Sequence, residues 1–519
     1  MQNIRRLSQT IFLLLFLFLF IQTESKGADN LGYPVKLFLD FDPLVFVTTF
    51  ISAHTVQKAF YLSLIVIFST IILGRVFCGW VCPLGTLNNA VGFFGKIRKD
   101  VKNLNWYRAK YYLLIFLLVS SLFSLQLTGI MDPLSLLIRS LSLGVYPSFN
   151  YSIRAVFDAI YDYGVRGIVD VSEYLYTLLK QGVLSFQQPH FRQSSFISLI
   201  LLVILALNLY EKRFWCRNLC PLGALLGILS RYSILKRSVS EGCNECGACS
   251  AVCQGNASPD KKGQWKSSEC LYCWSCDDVC PQNAVSFGFS AGAALKPASA
   301  GIDLGRRRVI ASMAGGIIAV PLLRVTPLSQ SNILSPRLIR PPGALEENEF
   351  LKRCVKCGEC MKVCITNGLQ PTFLEAGFEG IWSPMLVPKV GYCEFRCTLC
   401  GQVCPTGAIK KLELKDKMKV KLGLAMIDKS RCLPHAHATP CIVCEEVCPT
   451  PKKAVWFEKA TVKDRQGREI PIQQPRVDLE LCIGCGICET KCPVKSRPAI
   501  YVTNVGESRS EKNRLLLSY

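Results

Sequence analysis

The stretch CLYCWSCDDVCP, Cys270–Pro281, carries four cysteines spaced Cys-x2-Cys-x2-Cys-x3-Cys, with a proline straight after the last. Just upstream, Cys243, Cys246, Cys249 and Cys253 repeat that spacing. Downstream lie four more groups: Cys354, Cys357, Cys360, Cys364; Cys393, Cys397, Cys400, Cys404; Cys432, Cys441, Cys444, Cys448; and Cys482, Cys485, Cys488, Cys492. Two are stretched, with three residues after Cys393 and eight after Cys432. These six groups use 24 of the 28 cysteines. The other four form two upstream pairs, Cys78/Cys82 in FCGWVCPLGTL (Phe77–Leu87) and Cys216/Cys220 in FWCRNLCPLGALL (Phe214–Leu226). Positions i and i+4 share a helix face, so each pair aims two thiols one way.

Three thiols in one tight loop wrap a corner of an iron–sulfur cubane. The fourth, often followed by proline, points to a neighbouring cluster. Proline follows Cys280, Cys404, Cys448 and Cys492, as in bacterial ferredoxins. Zinc usually takes cysteine pairs separated by a longer loop, and disulfide scaffolds are short and Cys-dense throughout, so a zinc scaffold is a poor third choice. Six [4Fe–4S] clusters are expected. Crosswise ligation is expected in the first module, Cys243, Cys246, Cys249 and Cys280 at one cluster and Cys270, Cys273, Cys276 and Cys253 at the other. For the four later groups the order permits nested or adjacent pairing, and the neighbouring irregular groups favour nesting. Cys78, Cys82, Cys216 and Cys220 read either as a shared redox or metal site, or as structural or reversibly paired thiols.

Outward from the cysteines, the 519-residue chain is half apolar and carries a formal charge of +22. An oxidised four-thiolate cluster carries about −2, so six offset about 12 of those charges. The remainder reads as topogenic loops, with docking of an acidic redox partner as the sharper reading. No nucleic-acid module is present. After Arg5 and Arg6, the run Ile11–Ile21 suits a signal-peptide core or a short anchor. Ala59–Val76, Tyr111–Ile130 and Phe196–Leu209 approach the ~20 residues of a membrane span. Lys96, Arg98, Lys99, Lys102, Arg108 and Lys110 follow the first, and Lys212, Arg213, Arg217, Arg231, Lys236 and Arg237 follow the third. These basic groups should face the cytoplasm, and Thr23–Lys58 and Met131–Arg192 the outside.

A repeat underlies the spans. Asp42-Pro43-Leu44 and Asp132-Pro133-Leu134 each precede an inward span and then Cys-x3-Cys-Pro-Leu-Gly. It should gather the four upstream thiols at the inner surface. Asp42 and Asp132 read as repeated turn and helix-cap residues, with quinol proton uptake as the sharper role. The second unit carries an insert, roughly Gly144–Arg192, with helical apolar spacing. Further on, Gly305-Arg306-Arg307-Arg308-Val309-Ile310 resembles a twin-arginine signal, or an ordinary span flanked by inside-positive charge. Both readings put the later chain outside. The expected divisions are 1–23, a signal or anchor; 24–239, a transmembrane domain; 240–287, a cytoplasmic two-cluster module; 288–342, a linker with the apolar run; 343–505, a four-cluster domain; and 506–519, a tail.

Absences narrow the chemistry. There is no Cys-x-x-Cys-His, and His54 and His190 fall outside the spans, so no haem is indicated. No Gly-x-Gly-x-x-Gly opens a helix. His435 and His437, between Cys432 and Cys441, read as loop residues near a cluster.

With these motifs in hand, the chain to about residue 290 resembles NapH-type membrane ferredoxins, with related membrane parts in NosR-type and copper-reducing assembly proteins. From about Gly305 it resembles NapG/MauM-type four-cluster ferredoxins. The two resemblances sit in one polypeptide, and the flavin domain of the NosR type is missing, so no flavin is implied. The implied fold is multi-domain, an α-helical transmembrane bundle plus α+β bacterial-ferredoxin-like modules. The implied protein is multi-pass in the bacterial inner membrane. It works as a quinol dehydrogenase, taking electrons from the quinone pool to a periplasmic redox protein or reductase. The alternative is a maturation or regulatory protein supplying electrons to a metal or a partner's cofactor. About 30 Å of hydrocarbon would separate the inner and outer modules, a gap that a quinone or a metal at the four upstream thiols would help to cross.

Overall fold

The computed structural model describes residues 1–25, 27, 29–55, 60–94, 105–164, 166–257, 265–289, 304–324, 335–463, 467–494, 496–510 and 513. Lys96, Arg98, Lys99 and Lys102 of the basic loop, and parts of the 288–342 linker and the tail, lie outside the described residues. The chain divides into two compact units. One comprises Met1–Phe20, Val35–Leu141 and Ser195–Leu322; the other comprises Ile21–Pro34, Ser142–Ser194 and Leu323–Tyr519. The division differs from the expected one. The 240–287 module folds with the helical region, and the insert folds with the later cysteine groups instead of with the helices that flank it in sequence.

In the first unit the three expected spans become helices Tyr61–Leu73, Ala109–Leu122 and Ser194–Ala206. They have 13, 14 and 13 residues, short of the ~20 that a span requires. Local backbone ends the first two: Gly74 has φ +77° and Ser124 φ +63°. The third tightens into a 3-10 turn at Leu207–Leu209. Only Gln2–Gln22, among the described helices, is long and apolar enough to cross a membrane. This is the segment read as a signal core, and its helix extends the apolar run by a basic, polar stretch at the start.

These helices expose apolar side chains, and the first also buries polar ones. Tyr61, Ile65, Phe68 and Ile72 are exposed on the first, while Ser63 and Thr70 are buried. The buried hydroxyls donate to their own helix, Ser63 Oγ to Phe60 O at 2.7 Å and Thr70 Oγ1 to Val66 O at 2.7 Å. Phe196, Leu199, Leu202 and Val203 form a second exposed apolar face. The Asp-Pro-Leu repeats start helices Pro43–Ala53 and Pro133–Ser140. Asp42 accepts from the Leu44 and Val45 amides at 2.8 and 3.3 Å, and Asp132 from Ser135 N at 2.8 Å. They are N-caps with proline at the first helical position, as their sequence suggests. The two carboxyl groups lie within electrostatic reach of one another. The module closes with the antiparallel ladder Leu235–Val239 against Val285–Phe289.

The second unit holds three two-stranded antiparallel ladders among its described residues: Leu369–Pro371 with Pro384–Leu386, Leu424–Ile427 with Ile500–Thr503, and Val455–Lys463 with Glu469–Val477. The insert is a helix pair, Tyr146–Tyr163 and Arg166–Gly182. Its C-terminal end is tied down by backbone and amide groups: Asn367 Nδ2 donates to His190 O at 2.6 Å, and Arg192 N to Gln370 Oε1 at 3.0 Å. Arg340, 1% exposed, anchors this unit. Its guanidinium pairs with Glu347 at 2.5 Å and donates to Pro384 O at 2.7 Å, while Arg509 reaches the same carboxylate at 3.0 Å.

Candidate iron–sulfur sites

The second unit contains four thiol-lined cavities. Site A is lined by Cys354, Cys357, Cys360 and Cys404. Site B is lined by Cys364, Cys393, Cys397 and Cys400. Site C is bordered by Cys448, Cys482, Cys485 and Cys488, and site D by Cys432, Cys441, Cys444 and Cys492. The first three thiols of each group therefore meet the fourth of its sequence neighbour. Pairing is adjacent and crosswise, not nested. Each pair joins one regular group to one stretched group.

The regular loops share a backbone device. Residues on both sides of the second cysteine adopt positive φ: Lys356 and Gly358 (55° and 87°), Gly484 and Gly486 (67° and 85°), Glu245 and Gly247 (54° and 72°), Tyr272 and Trp274 (48° and 54°). Each non-glycine residue there costs about 1–2 kcal/mol, so the loops hold strain that curls three thiols toward one point. In regular and stretched groups alike the third cysteine falls in a short helix: Cys360 in Glu359–Lys362 and Cys488 in Ile487–Lys491, Cys400 in Leu399–Gln402 and Cys444 in Val443–Glu446. The long spacer after Cys432 is taken up by helix Leu433–Ala436. His435 sits there with Nε2 3.3 Å from Pro475 O, the position of a loop residue near a site.

The donor set suits a thiolate-held cluster. Amides donate to the fourth cysteines: Ile409 N to Cys404 Sγ at 3.4 Å, Ala499 N to Cys492 Sγ at 3.4 Å, Ala257 N to Cys253 Sγ and Ala284 N to Cys280 Sγ at 3.3 Å. Burial pushes the thiols of Cys357, Cys360, Cys400 and Cys488 well above their ordinary range, and those of Cys397, Cys444 and Cys485 up to about 12. Such thiols keep their protons unless a metal replaces them. Among the described residues, no three His, Cys, Asp or Glu side chains group closely enough to chelate a single ion.

Two hydrogen bonds join sites B and C. Cys393 N donates to Cys485 O at 2.8 Å, and Leu422 N to Ile483 O at 2.9 Å. Leu422 lines site B and Ile483 lines site C. Cys444 borders both C and D. Cys360 of site A lies within electrostatic reach of Cys400 of site B, so the four cavities follow one another in the order A, B, C, D.

In the first unit, Cys270 lies within electrostatic reach of Cys273, Cys276 and Cys253, the expected crosswise set. Of the partner set, Cys243 and Cys246 are exposed, and Cys249 and Cys280 half-buried. The upstream thiols converge too. Cys220 lies within electrostatic reach of Cys78, Cys82 and Cys216, and Cys82 within reach of Cys216. Each pair is set out by a π-helical turn, Phe77–Val81 and Trp215–Leu219. The first turn packs on the Cys270 loop: Trp80 Nε1 donates to Tyr272 O at 2.9 Å, and a Cβ on Gly79 would come 2.3 Å from Leu271 O. Glu269, next to Cys270, pairs with Lys110, accepts from Tyr111 Oη at 2.7 Å and faces Arg75 at 3.6 Å. Sequence reading missed this buried network because Lys110 was counted as topogenic charge and Arg75 fell inside the expected span Ala59–Val76.

Comparison with known proteins agrees with the donor chemistry. A 4Fe-4S binding domain family matches residues 59–101 and 193–240, and another 4Fe-4S binding domain matches 475–496. The ferredoxin-type protein MauM of Methylorubrum extorquens is 34% identical over 184 residues, which is 34% of this chain and 79% of the relative. The ferredoxin-type protein NapG of Escherichia coli is 32% identical over 214 residues, 40% of this chain and 89% of the relative. YccM of Escherichia coli is 28% identical over 258 residues, 48% of this chain and 60% of that protein. No solved structure matches the chain. The chain is an iron–sulfur electron-transfer protein, and with such identity over most of the length of these relatives it belongs to the NapG/MauM family of ferredoxin-type proteins.

Proposed function

We propose that the protein is anchored in the bacterial inner membrane by several helices, oxidises quinol there, and delivers electrons through [4Fe–4S] clusters to a periplasmic redox protein or reductase. The observation that carries this reading is the unbroken row of four thiol-lined cavities, joined at its middle by the Cys393–Cys485 hydrogen bond. One-electron carriers need close spacing and tuned potential, and the protein supplies both. In each of the six quartets the cysteines hold the cluster, and the cluster supplies one-electron chemistry. Around them the protein's own groups do the rest: amides donate to Cys253, Cys280, Cys404 and Cys492, and the packed loops of the second unit bury many of its thiols.

Membrane attachment is supported by the inverted helices. Exposed Ile65, Phe68, Leu199 and Leu202 suit lipid, and the buried hydroxyls are satisfied within their helices. The short helices then need flanking turns or local thinning of the bilayer to complete a crossing. The second unit also collects the insert and the later groups, two of the segments whose charge pattern places them outside. The NapH-like character of the first 290 residues and the cytoplasmic place of the 240–287 module belong to the same reading.

The test mixes anaerobically purified full-length protein with menaquinol and follows the visible absorbance of the clusters. Bleaching within a turnover time is expected. Clusters that dithionite reduces and menaquinol leaves untouched would overturn quinol oxidation.

A further inference from the structure

One stretch of the second unit gathers the ends of three apolar helices. Thr23, straight after helix Gln2–Gln22, accepts from Lys362 Nζ through its carbonyl at 2.7 Å. Gln193, straight before helix Ser194–Ala206, accepts from Trp382 Nε1 at 3.1 Å. Arg324, the last residue of helix Arg306–Arg324, donates to both oxygens of Glu379, at 3.0 and 3.4 Å. All six of these residues belong to the second unit. The stretch from Lys362 to Trp382 therefore borders three points where the chain enters or leaves an apolar helix. The charge pattern favours one side for all three ends. Arg5 and Arg6 lie near the start of the first helix, Lys212, Arg213 and Arg217 follow the second, and Arg306, Arg307 and Arg308 open the third.

Within that stretch runs an exposed apolar tip. Phe373, Leu374 and Phe378 are 53%, 44% and 47% exposed, three large apolar side chains within six residues. Among the described residues from Ser335 onward, the other exposed large apolar side chains, Leu414, Ile442 and Trp456, stand singly. Single ones are ordinary on a protein surface, and a cluster marks a contact. The tip is firmly built. It closes the ladder Leu369–Pro371 with Pro384–Leu386. Thr372 Oγ1 donates to Gly380 O at 2.6 Å, Trp382 N to Thr372 O at 2.9 Å, and Phe373 N to Glu375 Oε2 at 2.7 Å. Contact therefore requires little further ordering of the loop.

We infer that this tip rests in the outer leaflet of the membrane, with Phe373, Leu374 and Phe378 inserted at the lipid interface. The inference rests on the proposed membrane anchoring and adds to it a lipid contact outside the helices. Lipid is the occupant because of what stands beside the tip. Phe378 adjoins Glu379, which holds Arg324 at the end of an apolar helix. A charged pair in that place stays at headgroup level, out of the hydrocarbon. Apolar side chains next to it reach the boundary between headgroups and acyl chains, where apolar surface binds. The contact also sets the orientation of the thiol row. Lys362 stands between Cys360 of site A and Cys364 of site B, so sites A and B are held on the lipid side, where electrons from quinol would enter.

The test places the photo-cross-linking residue p-benzoylphenylalanine at Phe373, Phe378, Trp456 or Phe68, one at a time, in the full-length chain in bacterial membranes. After irradiation, adducts are identified by mass spectrometry. All four positions are exposed, so the replacement leaves the packing intact. Lipid adducts at Phe373 and Phe378 are expected at a yield comparable with Phe68, on the exposed helix face, and severalfold above Trp456, on the ladder Val455–Lys463. Lipid adducts at Phe68 with none at Phe373 and Phe378 overturn the inference and leave the anchoring standing. Cross-links from Phe373 and Phe378 to a second copy or to another protein, or an equal lipid yield at Trp456, overturn it in the same way. No lipid adduct at Phe68 either, with the chain released by carbonate, overturns the anchoring and the inference with it.

Discussion

The junction between sites B and C is where one atom should matter most. Gly484 sits between Ile483 and Cys485 with φ +67°, and a Cβ there would fall 2.4 Å from Gly423 O and 2.6 Å from Gly423 C and N. These are backbone atoms that cannot swing aside. Gly484→Ala therefore costs about 1–2 kcal/mol for the left-handed backbone and about 1–3 kcal/mol for overpacking. The total is about 2–5 kcal/mol, concentrated on the loop that carries both B–C hydrogen bonds. Gly467→Ala is the control: its φ is +79° and nothing lies within 4 Å of its Cβ position. It should cost only the backbone term and no iron. The assay is an anaerobic urea titration of the full chain, followed by cluster absorbance and iron per chain. Gly484→Ala should lose absorbance at clearly lower urea and shed about four iron. If the two variants behave alike, the tight junction is not there.

Other consequences can be checked separately. Adjacent pairing makes Cys364 a member of site B, so the spectral effect of Cys364→Ser should vanish in a Cys397→Ala background and persist in a Cys485→Ala background; the reverse pattern would restore nesting. The iron-free chain should lose stability as pH rises. Buried thiols such as Cys397 and Cys485 stay protonated up to about 12 when folded but ionise from about 8.5 when unfolded. The protonated form's contribution is complete below about 8.5 and drains away above it. Melting temperatures of the apo chain at pH 7 to 10 that do not fall would contradict this. Phe68→Asp puts a charge on an exposed apolar face, and in lipid it should cost about 2.5–3.5 kcal/mol at mid-membrane. It should cut the carbonate-resistant membrane fraction severalfold; unchanged recovery would argue that this face meets water.

All six quartets were legible as motifs, because the thiol spacing that wraps a cluster is a local property of each loop. The caps at Asp42 and Asp132 were legible for the same reason, since Asp-Pro-Leu starts a helix from within one turn. Pairing was not. It depends on where Cys364 and Cys448 point after their loops turn, and irregular spacing at Cys393 and Cys432 suggested the wrong partner. The expected spans ran past their helices because Gly74 and Ser124 were read as apolar-run residues and not as left-handed breaks. Arg75 and Arg213 stand three residues before Cys78 and Cys216 and were available to any reader of the repeat. Arg213 was counted as topogenic charge and Arg75 was absorbed into the expected span Ala59–Val76, so the burial of both side chains was not legible. The insert could not be assigned to its unit from sequence, since its ties to Asn367 and Gln370 span more than 170 residues.

The account stands most directly on the metal itself. Iron, zinc and acid-labile sulfide should be measured on the full-length chain purified without air, with EPR recorded as the sample is reduced stepwise. The account predicts at least about 24 iron with matching sulfide, no stoichiometric zinc, and spectra broadened by interaction between neighbouring reduced centres. Zinc in place of iron, or isolated non-interacting centres, would contradict a row of adjoining clusters.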